Sequence, residues 1–163
     1  QNKLDQFGNY IFSIGNNKFT SDSGVQNIAS DPITWDRVLG PKINITDSNY
    51  NTVLTTGETH SRIAIIYFTT EQSVAIQNFE LQDISITPEV SGSGNKIFSI
   101  VGGANNRFTL QLTLEDAARD YVIVVNSYTF ETFDSPHIRN SQTSNTYTLS
   151  KLLAVDHQAL PAR

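Results

Sequence analysis

The chain has 163 residues, with 11 Lys and Arg against 16 Asp and Glu, and it carries no Cys and no Met. The formal charge of -5 excludes recognition of nucleic acid or of an anionic membrane through a basic surface, because a polyanion is held by displacing its counterions with Lys and Arg. The absence of Cys removes disulfides, thiolate metal sites and Cys nucleophiles together, so packing alone must hold the fold.

Asn, Ser and Thr supply 48 residues while charged residues are 17%, a composition that suits the strands and polar loops of an extracellular or cell-surface protein. The longest apolar run, Ile63 to Phe68, is far below the ~20 residues that a spanning helix needs, so no membrane insertion is expected. The chain opens on Gln1 with no basic and apolar leader and is read as a mature or excised segment of a longer product.

In chain order, Tyr10-Ile11-Phe12-Ser13-Ile14 and then Phe19-Thr20-Ser21 form an N-terminal β segment. From Lys42 onward, short clusters of Ile, Val, Phe and Tyr are separated by Asn, Gly, Ser and Asp, the spacing of an all-β domain. Seven strands are predicted there: Lys42 to Thr46, Ser61 to Thr69, Phe79 to Thr87, Lys96 to Val101, Arg107 to Leu114, Tyr121 to Asn126 and Thr146 to Leu152. Phe108, Leu110, Leu112 and Leu114 alternate with polar residues, which predicts one buried and one wet face. Ile63 to Phe68 is apolar on both faces and reads as a central strand. Gly92-Ser93-Gly94-Asn95 and Gly102-Gly103-Ala104-Asn105-Asn106 read as hairpin connections, since Gly and Asn accept positive φ cheaply. Leu114 to Arg119 holds helix formers and early acidic residues, which predicts a helical crossover of one or two turns.

The chain also repeats itself. Tyr10 to Ile14 with Phe19 to Ser21 aligns, at an offset of 111, with Tyr121 to Val125 and Phe130 to Thr132. With small gaps, Asn27 to Trp35 aligns with Asn140 to Leu149, so Trp35 is expected to pack as a closing-strand residue. Residues 1–36 therefore read as the C-terminal strands of a preceding repeat, 37–153 as a complete domain, and 154–163 as a linker toward a following one. The join lies within Asp36-Arg37-Val38-Leu39-Gly40-Pro41.

Over about Pro41 to Leu153 the pattern resembles the bacterial Ig-like domains that occur in tandem in large secreted adhesins and surface proteins. The resemblance rests on Ile63 to Val74, on Phe79 and Asp83-Ile84, on the strands Phe98 to Val101 and Phe108 to Leu114, on the Val-rich Tyr121 to Val125, and on Asn145-Thr146-Tyr147-Thr148. It implies an Ig-like β-sandwich of about seven strands with an extra N-terminal β segment. The loop holding Asp134-Ser135 and Asn140 lacks the family's Ala-Gly-Asn core, and the family's calcium site is not expected there.

Candidate sites are few. His60, His137 and His157 share no metal-ligand spacing and read as surface or loop residues. Asp134-Ser135-Pro136-His137 brings three triad residue types together but reads as a turn, since a triad is made by geometry rather than by sequence neighbours. Glu115, Asp116 and Asp120 read as a solvated turn rather than paired catalytic carboxylates. Asp31, Asp36 and Asp47 near the join are candidates for calcium, the one cofactor entertained; otherwise none is expected. Asn44-Ile45-Thr46 is the one glycosylation sequon, making Asn44 the candidate acceptor. Trp35, Tyr50 and Tyr128 are candidates for a sugar-stacking platform. The expectation is a non-enzymatic extracellular structural or adhesion module in a tandem cell-surface protein or filament. Its expected partners are neighbouring Ig-like domains, copies of itself, or surface glycans. The alternatives are a polymerising, pilus-like filament subunit that donates its N-terminal strand and a carbohydrate-binding module.

Overall fold

The computed structural model describes residues 8–37 and 39–153. The predicted linker at 154–163 and His157 lie outside the described residues. The chain divides into two compact units, Gln1–Leu39 and Gly40–Arg163. In the first, β1 (Gly8–Phe12) pairs antiparallel with β2 (Ile33–Arg37), placing Tyr10 opposite Trp35 and Phe12 opposite Ile33.

The second unit is an all-β sandwich. Its strands are β3 (Ile43–Thr46), β4 (Thr56–Thr59), β5 (Ile63–Thr70), β6 (Ile76–Gln77), β7 (Ile84–Thr87), β8 (Lys96–Ile100), β9 (Arg107–Thr113), β10 (Arg119–Val125), β11 (Glu131–Thr132) and β12 (Tyr147–Lys151). One four-stranded sheet has the order β3-β5-β9-β8 and the other β4-β12-β10-β7, with a small β6-β11 pair beside them. These sheets correspond to the ABED and CFG sets of an immunoglobulin-type sandwich, with β4 added in parallel on the outer edge of β12.

Alternation decides what each sheet buries. Ile66 and Phe68 of β5 and Phe108, Leu110 and Leu112 of β9 point inward, facing Tyr121, Ile123 and Val125 of β10 and Tyr147 and Leu149 of β12. Phe79, from the chain leading into β7, stands edge-on to Phe98, Phe108 and Phe130 with centroids 5.1, 5.0 and 5.4 Å away, a favoured aromatic geometry. Its ring thus ties the β3-β5-β9-β8 sheet to the loop after β10.

Several expectations are corrected. The sandwich of about seven strands is present, and one strand was not foreseen: β4 (Thr56–Thr59) pairs with β12 although its sequence carries no apolar alternation. Gly57 is required there, since a Cβ would collide with the Tyr147 hydroxyl. The strand predicted from Phe79 begins only at Ile84, after a 3-10 turn over Leu81–Asp83. No helix forms between Leu114 and Arg119; the connection is a bend whose Glu115 pairs with Arg119 at 3.2 Å, and so few residues cannot repay helix nucleation. Gly92 to Asn95 is a crossover between sheets rather than a hairpin, because β7 and β8 lie in different sheets. Gly102 to Asn106 does close a hairpin, with Gly102 and Gly103 at positive φ. β5 is central, between β3 and β9, but its second face is open: Ile63 and Ile65 are about half exposed.

Asp83 is a buried carboxyl that accepts the Glu80 N–H at 2.8 Å. Burial pushes its pKa up from 3.8; the Glu80 N–H opposes the shift and the Glu80 charge adds to it. The folded state therefore holds this proton to higher pH than the unfolded chain, and stability falls as pH rises through the window above 3.8. Asp83→Asn keeps an acceptor for that N–H without the charge. Urea unfolding should find the variant's stability relative to the parent greatest at pH 7 and declining toward pH 4; a difference independent of pH would contradict this account.

Candidate functional site

The chain leaves β10 at Val125 and returns antiparallel beside it as β12 in the same sheet, by a long connection in which Phe130, Asn140 and Ser144 are buried. Asn140 secures this return and is fully buried. Its Oδ1 accepts the N–H groups of Thr129 and Phe130 at 2.8 and 3.1 Å, and its Nδ2 donates to the carbonyls of Asn126 and Gln142. Its backbone N–H donates to Phe130 O, and its carbonyl accepts Tyr128 N–H, with Tyr128 held at φ 63. Further along, Ser144 Oγ accepts Val125 N–H at 2.8 Å while Ser144 N–H donates to Val125 O. An amide side chain suits this place because it offers acceptor and donor from one planar group.

The N-terminal hairpin repeats the device bond for bond. Asn27 Oδ1 accepts Lys18 and Phe19 N–H at 2.7 and 3.0 Å, and its Nδ2 donates to Gly15 O. Asn27 N–H donates to Phe19 O, and Asn17, at φ 56, donates to Asn27 O. Ser30 Oγ accepts Ile14 N–H, and Ser30 N–H donates to Ile14 O. The bridge Thr20 to Gln26 corresponds to Glu131 to Arg139. The strand register agrees too: Tyr10 opposite Trp35 corresponds to Tyr121 opposite Leu149. Residues 8–37 thus have the local structure of the β10-to-β12 corner. The sequence alignment placed Asn27 with Asn140 and Trp35 with Leu149; the bonding role of Asn140 and of the Ser30 and Ser144 pair was missed, although all four residue identities are visible in the repeat.

The other predicted residues are dispersed. Asn44 lies on β3, where its Nδ2 donates to Glu71 at 3.2 Å, and its sequon neighbours Ile45 and Thr46 are buried, so the folded domain does not present this tripeptide as an open loop. Asp134 to Pro136 is a run of bends, and His137 Nδ1 just beyond it lies 3.1 Å from both Gln77 Nε2 and Thr132 O. His60 Nδ1 lies against Leu153 O. Glu115, Asp116 and Asp120 are exposed. Asp47 is occupied by its own loop: Oδ1 accepts the N–H groups of Asn49, Asn51 and Thr52, and the Asn51 N–H above all holds its pKa below 3.8. Asp31 is exposed and belongs to the first unit with Asp36. Among the described residues no three His, Asp or Glu side chains are grouped to hold a metal ion. Among them too, no helix is long and apolar enough to cross a membrane.

Of the sugar-platform candidates, Tyr128 is exposed and the Trp35 backbone lies in β2. Tyr50, at φ 62, stands edge-on to Tyr67 at 5.7 Å with the Arg107 guanidinium 5.0 Å over its ring. A cleft of about 290 Å³ nearby is lined by Asp47, Ser48, Tyr67 and Tyr147. The larger groove, about 620 Å³ along β7, has no aromatic lining residue. Comparison with models of known families, with curated proteins and with solved structures found no match.

The corner should be the most sensitive polar feature of the sandwich. Asn140→Ala strands one buried and one half-buried N–H group and should cost about 2–4 kcal/mol in urea unfolding, and Ser144→Ala about 1–2 kcal/mol. Losses below about 0.5 kcal/mol for both would show that the corner is held by packing instead.

Proposed function

We propose that the protein is a non-enzymatic structural module of an extracellular, tandemly repeated surface protein, and that residues 8–37 close the module ahead of the sandwich. The observation that carries this is the second corner, with Asn27, Ser30 and Asn17 repeating the bonds of Asn140, Ser144 and Tyr128. A lone domain has no use for two copies of its final hairpin. An array does, since each module must end on one. The polar composition and the fold's reliance on packing suit a module that spaces or presents a binding surface.

The alternative of a filament subunit donating an N-terminal strand finds less support. The slot that such a hairpin would fill is already taken by β10 and β12 of the same chain, which leaves only the sheet edges for addition. The carbohydrate-binding alternative draws on one feature, the Tyr50 and Tyr67 rings beside the 290 Å³ cleft.

Mass determination and electron microscopy of the native polypeptide test the proposal. A mass well above 18.1 kDa, seen as beads at regular spacing, is the expected result. A native polypeptide of 18.1 kDa forming continuous fibres would overturn it in favour of the filament subunit.

A further inference from the structure

The N-terminal hairpin shows water a face that its counterpart buries. Phe19, Ile33 and Ile14 are 60%, 70% and 49% exposed, whereas Phe130, Tyr147 and Val125 at the matching positions are 2%, 7% and 1% exposed. Phe12 is also exposed where Ile123 is fully buried. An apolar face of this kind marks an interaction surface, and the correspondence says what fits it.

In the sandwich, the face of β10 and β12 is covered by β3, β5 and β9, and Phe130 packs against Phe79. The outer edge of β10 is taken by antiparallel β7 and that of β12 by parallel β4. We infer that the hairpin of residues 8–37 receives a half-sandwich of the β3-to-β9 type. That half-sandwich lays a four-stranded sheet over Phe12, Ile14 and Ile33, sets a ring equivalent to Phe79 against Phe19, and pairs strands along the outer edges of β1 and β2. The β3-to-β9 half of a second copy is not free to serve, because its own β10 and β12 occupy it. The partner is therefore the corresponding half of the preceding module. The source of these strands rests on the tandem reading; their fit rests on the shared bonds and register.

The test replaces residues 1–7 of the chain with a copy of its own residues 40–118 joined directly to residue 8, since residue 119 is the counterpart of residue 8 at the offset of 111. Amide exchange is followed in the extended and the original chain, with Val125 as the internal reference for the native sandwich. The expected result is that the amides of Ile14, Phe19 and Asn27 slow together by at least about 100-fold in the extended chain, and that Phe19→Ala in that chain abolishes the slowing. Exchange at Ile14 and Phe19 unchanged by the extension, while Val125 stays protected, would overturn the inference and leave the tandem reading to its own mass measurement. Protection in the extended chain together with a native polypeptide of 18.1 kDa would instead uphold the fit and remove the tandem reading.

Discussion

The long return that brings the chain from β10 back beside it as β12, within one sheet, buries peptide groups that must find partners. An unpaired buried N–H costs as much as a well-packed side chain contributes, so the return from β10 to β12 constrains the residues packed around it. Asn140 meets that constraint by pairing with four backbone groups at once. With the turn fixed, Phe130 is delivered to the ring of Phe79, and Phe79 in turn packs on Phe98 and Phe108 from the opposite sheet. The polar corner and the aromatic cluster are two sides of one arrangement: the first sets the geometry and the second supplies the apolar burial.

The same constraint explains why the N-terminal hairpin is informative. Hydrogen bonds around Asn27 and Ser30 keep its backbone in the conformation of the corner although the side chains that would bury its face are not beside it. Local polar bonding thus specifies the hairpin, while its apolar face is left exposed. A shape held locally with an open apolar face fits the modular array proposed above. Of the other candidate residues, Asp47 is engaged by its loop, His60 and His137 lie against backbone carbonyls, and Glu115 pairs with Arg119.

Much of this was legible in the residues. Alternation in Arg107 to Leu114 located a strand and its inward face, and the offset of 111 brought Tyr10 to Tyr121 and Asn27 to Asn140, as the bonding later bore out at those positions. What escaped was set by tertiary contact. β4 is polar and holds Gly57, so only its pairing with β12 and the Tyr147 hydroxyl explain it. The turn at Glu115 to Ala118 has helix-forming residues but too few of them, and the sheet-to-sheet crossing dictates its path. Gly92 to Asn95 carries turn chemistry, which states that the chain bends and not which sheet it enters next. The bonding role of Asn140 was hidden for the same reason: an Asn in a loop is common, and only the three-dimensional return of the chain gives its amide four partners.

The central claim is that this sandwich is one of a series of like modules closed by like hairpins. Stretching the native polypeptide between two fixed points tests it most directly, because each module that opens releases its own length of chain. The account predicts repeated unfolding steps whose contour length grows by roughly 350 Å each, the extended length of about 111 residues less the folded span. A single step followed by featureless extension would contradict it.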